Sequence, residues 1–561
     1  MPSSATAGPL SDPTALVAHD IGRAFGDRVV LDGVDLLANP GEPVGLVGEN
    51  GAGKSTLMRI LAGVDEADSG TVSRPHDVAY LGQEPDFATG ATVGDVLAEV
   101  LAPLHEAVAR LESLAAQLGQ DGGQDGGQDG GQDGGQDDLV GGVGNEYADL
   151  LAWAEHHDAW DADRRAEVTA ARLGVGHLAH DRPVAELSGG ERTRLALAAI
   201  IVRRPDCVLL DEPTNHLDDE AMAYVEEFVV SSPGVVVVVS HDRVFLDRTA
   251  AVIVDLDPSH FGIDGEGGTR FAGDFTAYLA ARRKARRRWE EAFLAQREEL
   301  NGLRHAEKTT ARTVAHDRGP RDNDKFIDNF KGAKVARTIS RRVRDVQRRI
   351  EVLEREQIPK PPRPLSFGGR LAEGSGSIWV RDLVVPGRVA VPRLTVEPGQ
   401  HLLVTGPNGS GKSTLLAVLA GDLTPAEGEV QVQAKRIGYL PQDVTFDRPD
   451  RTAHEVYAAA NGAADVPPLG ELGLLHPKEL GKPVEVLSVG QQRRLALALV
   501  VAFQPDLLLL DEPTNHISLA LASDLEEALG GSSGTVVVTS HDRWLRHRWA
   551  GPVLILEAAP S

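Results

Sequence analysis

The sequence predicts an α/β fold in which two copies of one domain are joined by an antiparallel helical hairpin. Three observations support this prediction. Four motifs occur twice in the same order, apolar strands alternate with helices in both copies, and a basic segment with helical periodicity separates the copies. The later motifs of the two copies lie a constant 300 residues apart, as Asp211 and Asp511 do. A constant spacing of this kind indicates one duplicated domain.

Composition excludes several classes of protein. A chain of 561 residues is too long for a single core. Its one cysteine, Cys207, rules out disulfides and cysteine metal sites, and its position at an apolar strand predicts a core residue. No run approaches the roughly 20 apolar residues that span a bilayer. The start Met-Pro-Ser-Ser-Ala lacks the pattern of a signal peptide, so we expect a cytoplasmic protein.

Charge is distributed unevenly along the chain. Residues 281–350 hold 21 Lys/Arg and 10 Asp/Glu, a net charge of +11, which leaves 36 basic and 73 acidic residues elsewhere, a net charge of -37. A solvated helix surface is the common explanation of such a run. A basic segment within an acidic protein favours a polyanionic partner that contacts this segment alone.

The predicted domains follow from these patterns. We expect a disordered tail over 1–12, a first half over 13–272, a linker over 273–358, a Pro-rich connector over 359–376 and a second half over 377–561. The first half contains a helical arm at about 101–173, with helices near 101–118 and 147–173. A Gln-Asp-Gly-Gly repeat from Gln120 to Gly135 interrupts this arm and is expected to be disordered.

The linker carries two apolar seams with heptad spacing. One consists of Trp289, Phe293, Gln296, Leu300 and Leu303, and the other of Ile339, Val343, Val346, Ile350 and Leu353. Gly and Pro residues between the seams predict a hairpin with its tip at about 310–335. Each helix of about 30 residues would be roughly 45 Å long.

Each copy begins with a glycine-rich loop between a short apolar strand, 44–47 or 402–404, and a helix. Glycines let backbone N–H groups converge on phosphates at the positive end of the helix, the lysine reaches the β/γ-phosphates, and the serine hydroxyl reaches Mg²⁺. The predicted nucleotide-binding residues of these loops are Gly48, Asn50, Gly51, Gly53, Lys54, Ser55 and Thr56, and Gly406, Asn408, Gly409, Gly411, Lys412, Ser413 and Thr414.

Acidic and histidine residues follow buried strands in both copies. Asp211 and Asp511 are predicted to serve Mg²⁺, together with Ser55 and Ser413. The adjacent Glu212 and Glu512 are predicted to orient and polarise the attacking water. A lone histidine is more often structural, but His241 and His541 each follow serine at a strand end and are predicted to contact the γ-phosphate. Gln83 and Gln442 are predicted metal or water contacts.

These motifs, with Leu-Ser-Gly-Gly-Glu at 187–191 and Leu-Ser-Val-Gly-Gln at 487–491, resemble the ATP-binding cassette superfamily. The resemblance implies two P-loop ATP-binding cassette domains that close head to tail on ATP and Mg²⁺. Ser488 and Gly490 would then face Lys54, while Ser188 and Gly190 would face Lys412. Phe25 occupies the place where the family stacks an aromatic ring on adenine.

Three departures from the family pattern make the halves unequal. Val489 replaces the first glycine of the second signature, Ser518 stands where the first half has Asp218, and the stretch 385–387 offers no aromatic residue. Both glutamates and both lysines remain, so we expect two ATP sites of unequal turnover.

The hairpin between cassettes and the doubled Asp-Glu-Pro-Thr-Asn-His further resemble the ABC-F family, whose soluble members act on the ribosome. This resemblance implies binding at the tRNA exit site, with rRNA and P-site tRNA as partners of the hairpin. The predicted phosphate contacts are Arg282, Arg283, Lys284, Arg286, Arg287, Arg341, Arg342, Arg344, Arg348 and Arg349.

Leu-Ser-Val-Gly-Gln and Asn-His-Ile-Ser-Leu resemble self-resistance members from antibiotic-producing actinomycetes. We therefore expect ribosomal protection against drugs at the peptidyl-transferase centre or exit tunnel. Phe326 and Phe330 either act at the hairpin tip or pack between its helices. The alternatives are a general translation factor for stalled ribosomes, the ATPase of a drug exporter with a separate membrane partner, and a structural or DNA-repair cassette protein, which the short hairpin disfavours.

Overall fold

The computed structural model describes residues 15–26, 28–48, 51–83, 85–121, 136–215, 217–256, 270–315, 341, 343–361, 376–407, 409–461, 466–472, 474–503, 505–514, 517 and 519–557. Several sequence predictions lie outside these ranges. They are the tail, most of the Gln-Asp-Gly-Gly repeat and of the connector, the distal tip of the hairpin, and Asn50, Phe326, Phe330, Arg342, Asn408 and Ser518. Among the described residues, no helix combines the length and apolarity needed to cross a membrane.

The first half contains two sheets. The antiparallel sheet has the order β2-β1-β4, and the larger, mainly parallel sheet has the order β5-β6-β7-β3-β8-β9. The strands are β1 (Leu16–Phe25), β2 (Arg28–Ala38), β3 (Val44–Val47), β4 (Ser69–Ser73), β5 (Val78–Leu81), β6 (Cys207–Asp211), β7 (Val235–Val239), β8 (Val252–Asp255) and β9 (Arg270–Ala272). The helices are α1 (Lys54–Ala62), α2 (Val93–Asp121), α3 (Gln136–His156), α4 (Ala162–Arg172), α5 (Gly189–Arg203), α6 (Asp219–Ser231) and α7 (Arg243–Thr249).

The second half repeats this arrangement. Its strands are β10 (Ser377–Val385), β11 (Val389–Val396), β12 (His401–Thr405), β13 (Glu427–Gln433), β14 (Ile437–Leu440), β15 (Leu507–Asp511), β16 (Thr535–Thr539) and β17 (Val553–Ile555). Its helices are α10 (Lys412–Ala420), α11 (Ala453–Asn461), α12 (Val489–Phe503), α13 (Leu519–Gly530) and α14 (Arg543–Arg548). The sheet orders β11-β10-β13 and β14-β15-β16-β12-β17 match those of the first half strand for strand, apart from β9. The predicted α/β fold with a duplicated domain is confirmed.

The central parallel strands form the core of each half. Every residue of β6, β7, β15 and β16 is buried, and Cys207 is fully enclosed, as its place in an apolar strand predicts. Parallel strands covered by helices on both faces are continuously apolar, which explains the runs of valine and leucine. The carboxyl ends of these strands therefore stand at one edge of a rigid sheet, where the motif residues follow.

The helical arm of the first half differs from its prediction in its bounds and in a break. Helix α2 begins at Val93 and α3 at Gln136, earlier than the predicted starts near 101 and 147. The second predicted helix is divided, because α3 ends at His156 and α4 begins at Ala162. Asp158, between them, has a φ of 50°. A non-glycine residue in the left-handed region interrupts a helix, and the periodicity of apolar residues continues across such a break without revealing it.

The linker is an antiparallel pair of helices, as predicted. Helix α8 (Phe275–Ala315) packs against a helix over 343–355, here called α9. Leu300, Ile350 and Leu353 form a small core, and the side chain of Gln296 accepts from the N–H of Ile358 at 2.8 Å. Helix α8 has 41 residues, which at 1.5 Å per residue gives about 60 Å, longer than the predicted 45 Å.

The root of α8 packs against both halves. Phe275 and Tyr278 share one apolar cluster with Val244 of the first half and with Leu519 and Trp544 of the second. In the same region, Arg282 is only 11% exposed in its side chain and donates to Asp524 of α13 at 3.0 Å. The root of the linker therefore contacts both halves.

Candidate active sites

Both glycine-rich loops adopt the geometry that their sequences predict. Gly53 and Gly411, immediately before α1 and α10, have φ values of 93° and 88°. A Cβ on Gly411 would stand 2.3 Å from the carbonyl oxygen of Arg388, so no larger residue fits without a shift. The ammonium groups of Lys54 and Lys412 each donate to the carbonyl of the first loop glycine, Gly48 or Gly406, at 3.0 Å.

The first cleft, of about 760 Å³, surrounds the loop of the first half. Most predicted residues of this site line it, namely Gly51, Gly53, Lys54, Ser55, Thr56, Gln83, Asp211, Glu212 and His241. The opposite wall comes from the second half and includes Thr514, Ile517 and Leu519. The structure thus places the first loop against the segment that follows Asp511 and Glu512.

The second cleft, of about 1490 Å³, is built in the same way around the loop of the second half. The predicted residues that line it are Gly406, Gly409, Gly411, Lys412, Ser413, Thr414, Gln442, Glu512 and His541. Its opposite wall is acidic, because Asp218 and Asp219 of the first half contribute to it, whereas Ile517 and Leu519 occupy the corresponding wall of the first cleft. Either cleft is large enough for a nucleotide.

The predicted metal-binding aspartates are buried beside the loops. Asp211 lies within hydrogen-bonding reach of Ser55, and Oδ2 of Asp511 accepts no hydrogen bond from the part of the chain that the structure describes. Burial raises the pKa of the Asp211 carboxyl. In the second half, the hydroxyl of Ser413 donates to Oε1 of Gln442 at 3.3 Å, which brings two predicted metal contacts together. Buried carboxylate oxygens beside each loop fit a divalent cation, which prefers oxygen ligands.

The two predicted catalytic glutamates share an unusual backbone conformation. Glu212 and Glu512 have φ values of 56° and 47°, although non-glycine residues rarely adopt positive φ. Strain of this kind persists where the surrounding structure enforces it, often at active sites. Burial raises the pKa of Glu212 to about 8 and also raises the pKa of Glu512.

Each glutamate is paired with the predicted histidine of its own half. The N–H of His241 donates to Oε2 of Glu212 at 3.2 Å, and Nε2 of His241 lies 3.3 Å from Oε1. The distances for His541 and Glu512 are 3.1 and 3.4 Å. Burial, and then the charge of Lys412, lowers the pKa of His541. Two such pairs in equivalent places support the prediction that these histidines belong to the nucleotide sites.

The signature residues do not reach the clefts in this structure. Ser188 caps α5, and its N–H and hydroxyl both bind Glu191, whereas Ser488 binds the neutral Gln491. Residues 187–191 and 487–491 are all described, and none of them lines either cleft. Val489 is 67% exposed. The predicted pairing of each loop with the opposite signature therefore requires the halves to move closer together.

The predicted adenine contact also differs from the observed lining. Phe25 is exposed, lies under the guanidinium of Arg23 and does not line the first cleft, where Arg28 and Val30 do. In the second cleft, Arg388 and Ile555 take part in the wall. The sequence analysis did not predict these residues. It looked for an aromatic residue, whereas the guanidinium of Arg28 or Arg388 can also stack on a base.

Arg493 is a further residue that the motifs did not reveal. Its side chain is 2% exposed, and Nη2 donates to the carbonyls of Asp511 at 2.5 Å and Glu512 at 2.8 Å, while Nη1 donates to the carbonyl of Gln442. The corresponding residue of the first half, Thr193, donates from its hydroxyl to the carbonyl of Gly189 in its own helix at 3.0 Å. Arg493 therefore acts as an internal brace of the second site.

Comparison with known proteins agrees with this geometry. A family model described as ABC transporter matches residues 31–215 and 390–515, one segment on each side of the linker. Tylosin resistance ATP-binding protein TlrC of Streptomyces fradiae is 39% identical over 562 residues, which cover 97% of this chain and 98% of the relative.

Energy-dependent translational throttle protein EttA of Mycobacterium tuberculosis (strain ATCC 25618 / H37Rv) is 32% identical over 95% of this chain and 90% of its own length. Among solved structures, a chain described as RNase-L Inhibitor is similar with a TM-score of 0.47 and 19% identity, over 94% of this chain and 84% of that one. The family model covers more than half of the chain, and both relatives match nearly end to end. The chain therefore belongs to the ABC family as an ATPase with two cassettes in tandem, and within it to the ABC-F proteins.

Proposed function

We propose that this ABC-F protein binds the ribosome near the tRNA exit site and protects translation from antibiotics at the peptidyl-transferase centre or exit tunnel. The observation that carries the proposal is the 39% identity to a tylosin resistance protein over 97% of the chain. The similarity to a translational throttle protein supports action on translation, in the cytoplasm. The basic linker between the cassettes supplies a surface suited to RNA.

ATP hydrolysis would use the residues gathered in each cleft. In the first cleft Lys54 would contact the β/γ-phosphates, while Ser55, Gln83 and Asp211 would hold Mg²⁺. In the second half the same roles would fall to Lys412, to Ser413 and Gln442, which line the second cleft, and to the buried Asp511. When bound, the cation would offset phosphate charge. Glu212 or Glu512 would orient the water that attacks the γ-phosphate, with His241 or His541 beside it.

Closure of the halves would complete each site. Ser188 and Gly190 would then approach the second loop, and Ser488 and Gly490 the first. Because the root of α8 packs against both halves, closure would also reorient the linker. ATP binding and hydrolysis are thereby coupled to the shape that the protein presents to the ribosome.

Four of the linker arginines that are predicted to contact phosphates form ion pairs within the protein. Arg282 pairs with Asp524, Arg283 with Glu527, Arg286 with Glu290 and Arg349 with Glu299. Arg282 is also the least exposed of these, so its charge serves the junction with the second half. The exposed Lys284, Arg287, Arg341 and Arg348 remain the best candidates for contacts with rRNA or tRNA phosphates.

The decisive experiment combines Glu212→Gln with Glu512→Gln. Since water activation is lost and ATP binding is retained, we expect the variant to hydrolyse little ATP and to co-sediment with ribosomes when ATP is present. The matched control adds Lys54→Ala and Lys412→Ala, which remove the phosphate contacts and should release the protein. If the double glutamine variant sediments free of ribosomes with ATP, the proposal fails.

Two further measurements separate the alternatives. Expression in a sensitive host should raise the inhibitory concentration of tylosin, whereas a general translation factor would leave it unchanged. Co-purification with a membrane protein instead of ribosomes would favour an exporter.

Reversing the charges of Lys284, Arg287 and Arg348 should weaken ribosome binding and reduce its salt dependence. Reversal of the exposed Arg381, Arg393 and Arg448 of the second half is the control.

A further inference from the structure

An arginine follows each Ser-His-Asp motif and reaches into the other half of the molecule. Arg243, the first residue of α7, donates from Nη2 to Oδ2 of Asp542 at 2.5 Å and also to Glu526. Arg543, the first residue of α14, donates from Nη1 to Oε1 of Glu226 at 3.0 Å and to Oδ2 of Asp242 at 3.4 Å.

The two sets of contacts are equivalent. Arg243 and Arg543, Asp242 and Asp542, and Glu226 and Glu526 are each 300 residues apart, so one pattern occurs in both directions across the interface. An interface in which each side presents the same residues to the other is expected when two copies of one domain face each other about a twofold axis. The pattern therefore reflects the way in which the halves dock.

Each bound aspartate is part of the turn that carries a predicted catalytic histidine. Oδ1 of Asp242 accepts from the N–H groups of Val244 and Phe245 and caps α7, which leaves Oδ2 for Arg543. Asp542 caps α14 with Oδ1 in the same way and offers Oδ2 to Arg243. The residue before each aspartate is His241 or His541, whose N–H donates to Glu212 or Glu512.

We propose that Arg243 is a positioning residue for the Glu512–His541 pair of the second half, and that Arg543 has this role for the Glu212–His241 pair of the first. Through the two crossed arginine–aspartate contacts, the arrangement of one ATP site sets the arrangement of the other. The connection is short, since each arginine contacts the capping aspartate that directly follows the histidine. Buried charge-assisted hydrogen bonds suit this role, because they fix geometry more firmly than exposed ones.

The coupling is unequal in its two directions. The side chain of Arg243 is 1% exposed, has a further contact with the hydroxyl of Ser523 at 3.5 Å and lies near the ring of Trp544. Arg543 is 13% exposed, and its contact with Asp242 is longer than that of Arg243 with Asp542. The first half therefore holds the histidine turn of the second more firmly than the reverse.

Steady-state ATPase kinetics of the full chain test the proposal in two single-site backgrounds. Glu212→Gln reports on turnover at the second site, and Glu512→Gln reports on the first. Misplacement of catalytic groups lowers kcat by about tenfold to a hundredfold. We expect Arg243→Ala to lower kcat of the second site to this extent, with KM for ATP within about twofold, because the phosphate loop is not displaced. Arg543→Ala should lower kcat of the first site less.

The matched control is Arg282→Ala. It removes an ion pair between α8 and α13, in which the side chains of Arg282 and Asp524 are 11% and 31% exposed. If Arg282→Ala lowers kcat as much as Arg243→Ala does, or if KM and kcat change together in both backgrounds, the arginines only hold the halves together and the proposal is overturned.

A double-mutant cycle avoids the single-site backgrounds altogether. Asparagine caps helices as well as aspartate does, so Asp542→Asn keeps α14 capped and removes only the charge that faces Arg243. We expect the variant with both Arg243→Ala and Asp542→Asn to be no slower than the slower single variant, because the pair acts as one unit. Additive losses of kcat, with unchanged thermal unfolding, would show that the two residues act separately and would refute the proposal.

Discussion

Replacement of Arg493 by methionine tests whether the internal brace of the second site supports its chemistry. Arg493 donates to the carbonyls of Gln442, Asp511 and Glu512 from a nearly enclosed position in α12. Methionine fills a similar volume without a charge or donors. The substitution therefore removes the brace and leaves the packing largely intact.

The size of the effect follows from these contacts. Each buried carbonyl that loses its donor costs about 1–3 kcal/mol. Removing a buried charge returns part of this loss, because burial opposes the charged form, as the lowered pKa of Arg493 indicates. We expect the free energy of unfolding of the second half to fall by about 2–4 kcal/mol in total. Since the freed carbonyls belong to residues of the site, kcat there should fall about tenfold or more.

Urea unfolding and ATPase kinetics in the Glu212→Gln background measure these two effects. Arg493→Lys is the matched variant, because it keeps the charge but cannot donate to three carbonyls at once, and it should lie between the wild type and Arg493→Met. Arg493→Met that unfolds within about 1 kcal/mol of its parent and hydrolyses ATP at the same rate would refute the reasoning.

The remaining predictions concern other parts of the chain. Burial raises the pKa of Cys207 to about 12, so a maleimide at pH 8 should label the thiol only after urea unfolding, and rapid labelling of the native protein would contradict the fold. Gly411→Ala should weaken nucleotide binding to the second cleft by about tenfold or more, measured by fluorescent ATP titration, whereas Gly421→Ala, with a similar φ but no atom within 4 Å of the new Cβ, should not. Trp289→Phe loses the bond from Nε1 to the carbonyl of Pro359 at 2.8 Å and should destabilise the linker by about 1 kcal/mol in urea unfolding; no change would show that this bond is dispensable.

The motif loops illustrate how much of the site is encoded locally. A loop that wraps phosphates needs glycine where φ is positive and lysine at the helix start. The roles of Gly53 and Lys54 can therefore be predicted from the sequence alone. The glutamates Glu212 and Glu512 were assigned in the same way. Their positive φ was not foreseen, because no local residue preference favours it at glutamate.

The heptad spacing of apolar residues predicted the helices of the linker equally well. Leu300 of the first seam packs with Ile350 of the second, as the heptad spacing predicts. The division of the arm at Asp158 was missed, since periodicity records which face is apolar and not whether the backbone continues.

The sequence by itself determined the duplicated α/β fold, the two nucleotide loops with their carboxylates and histidines, and the helical hairpin between the halves. Each of these depends on a backbone conformation or a periodicity that a short stretch of chain specifies. Only the tertiary structure decided that the signatures stand away from the clefts, that Arg493 braces one site, and that Arg243 and Arg543 cross the interface. The physical reason is that a charged side chain is compatible with many partners, and its actual partner, almost 300 residues away for Arg243, is selected by the way in which the two halves dock.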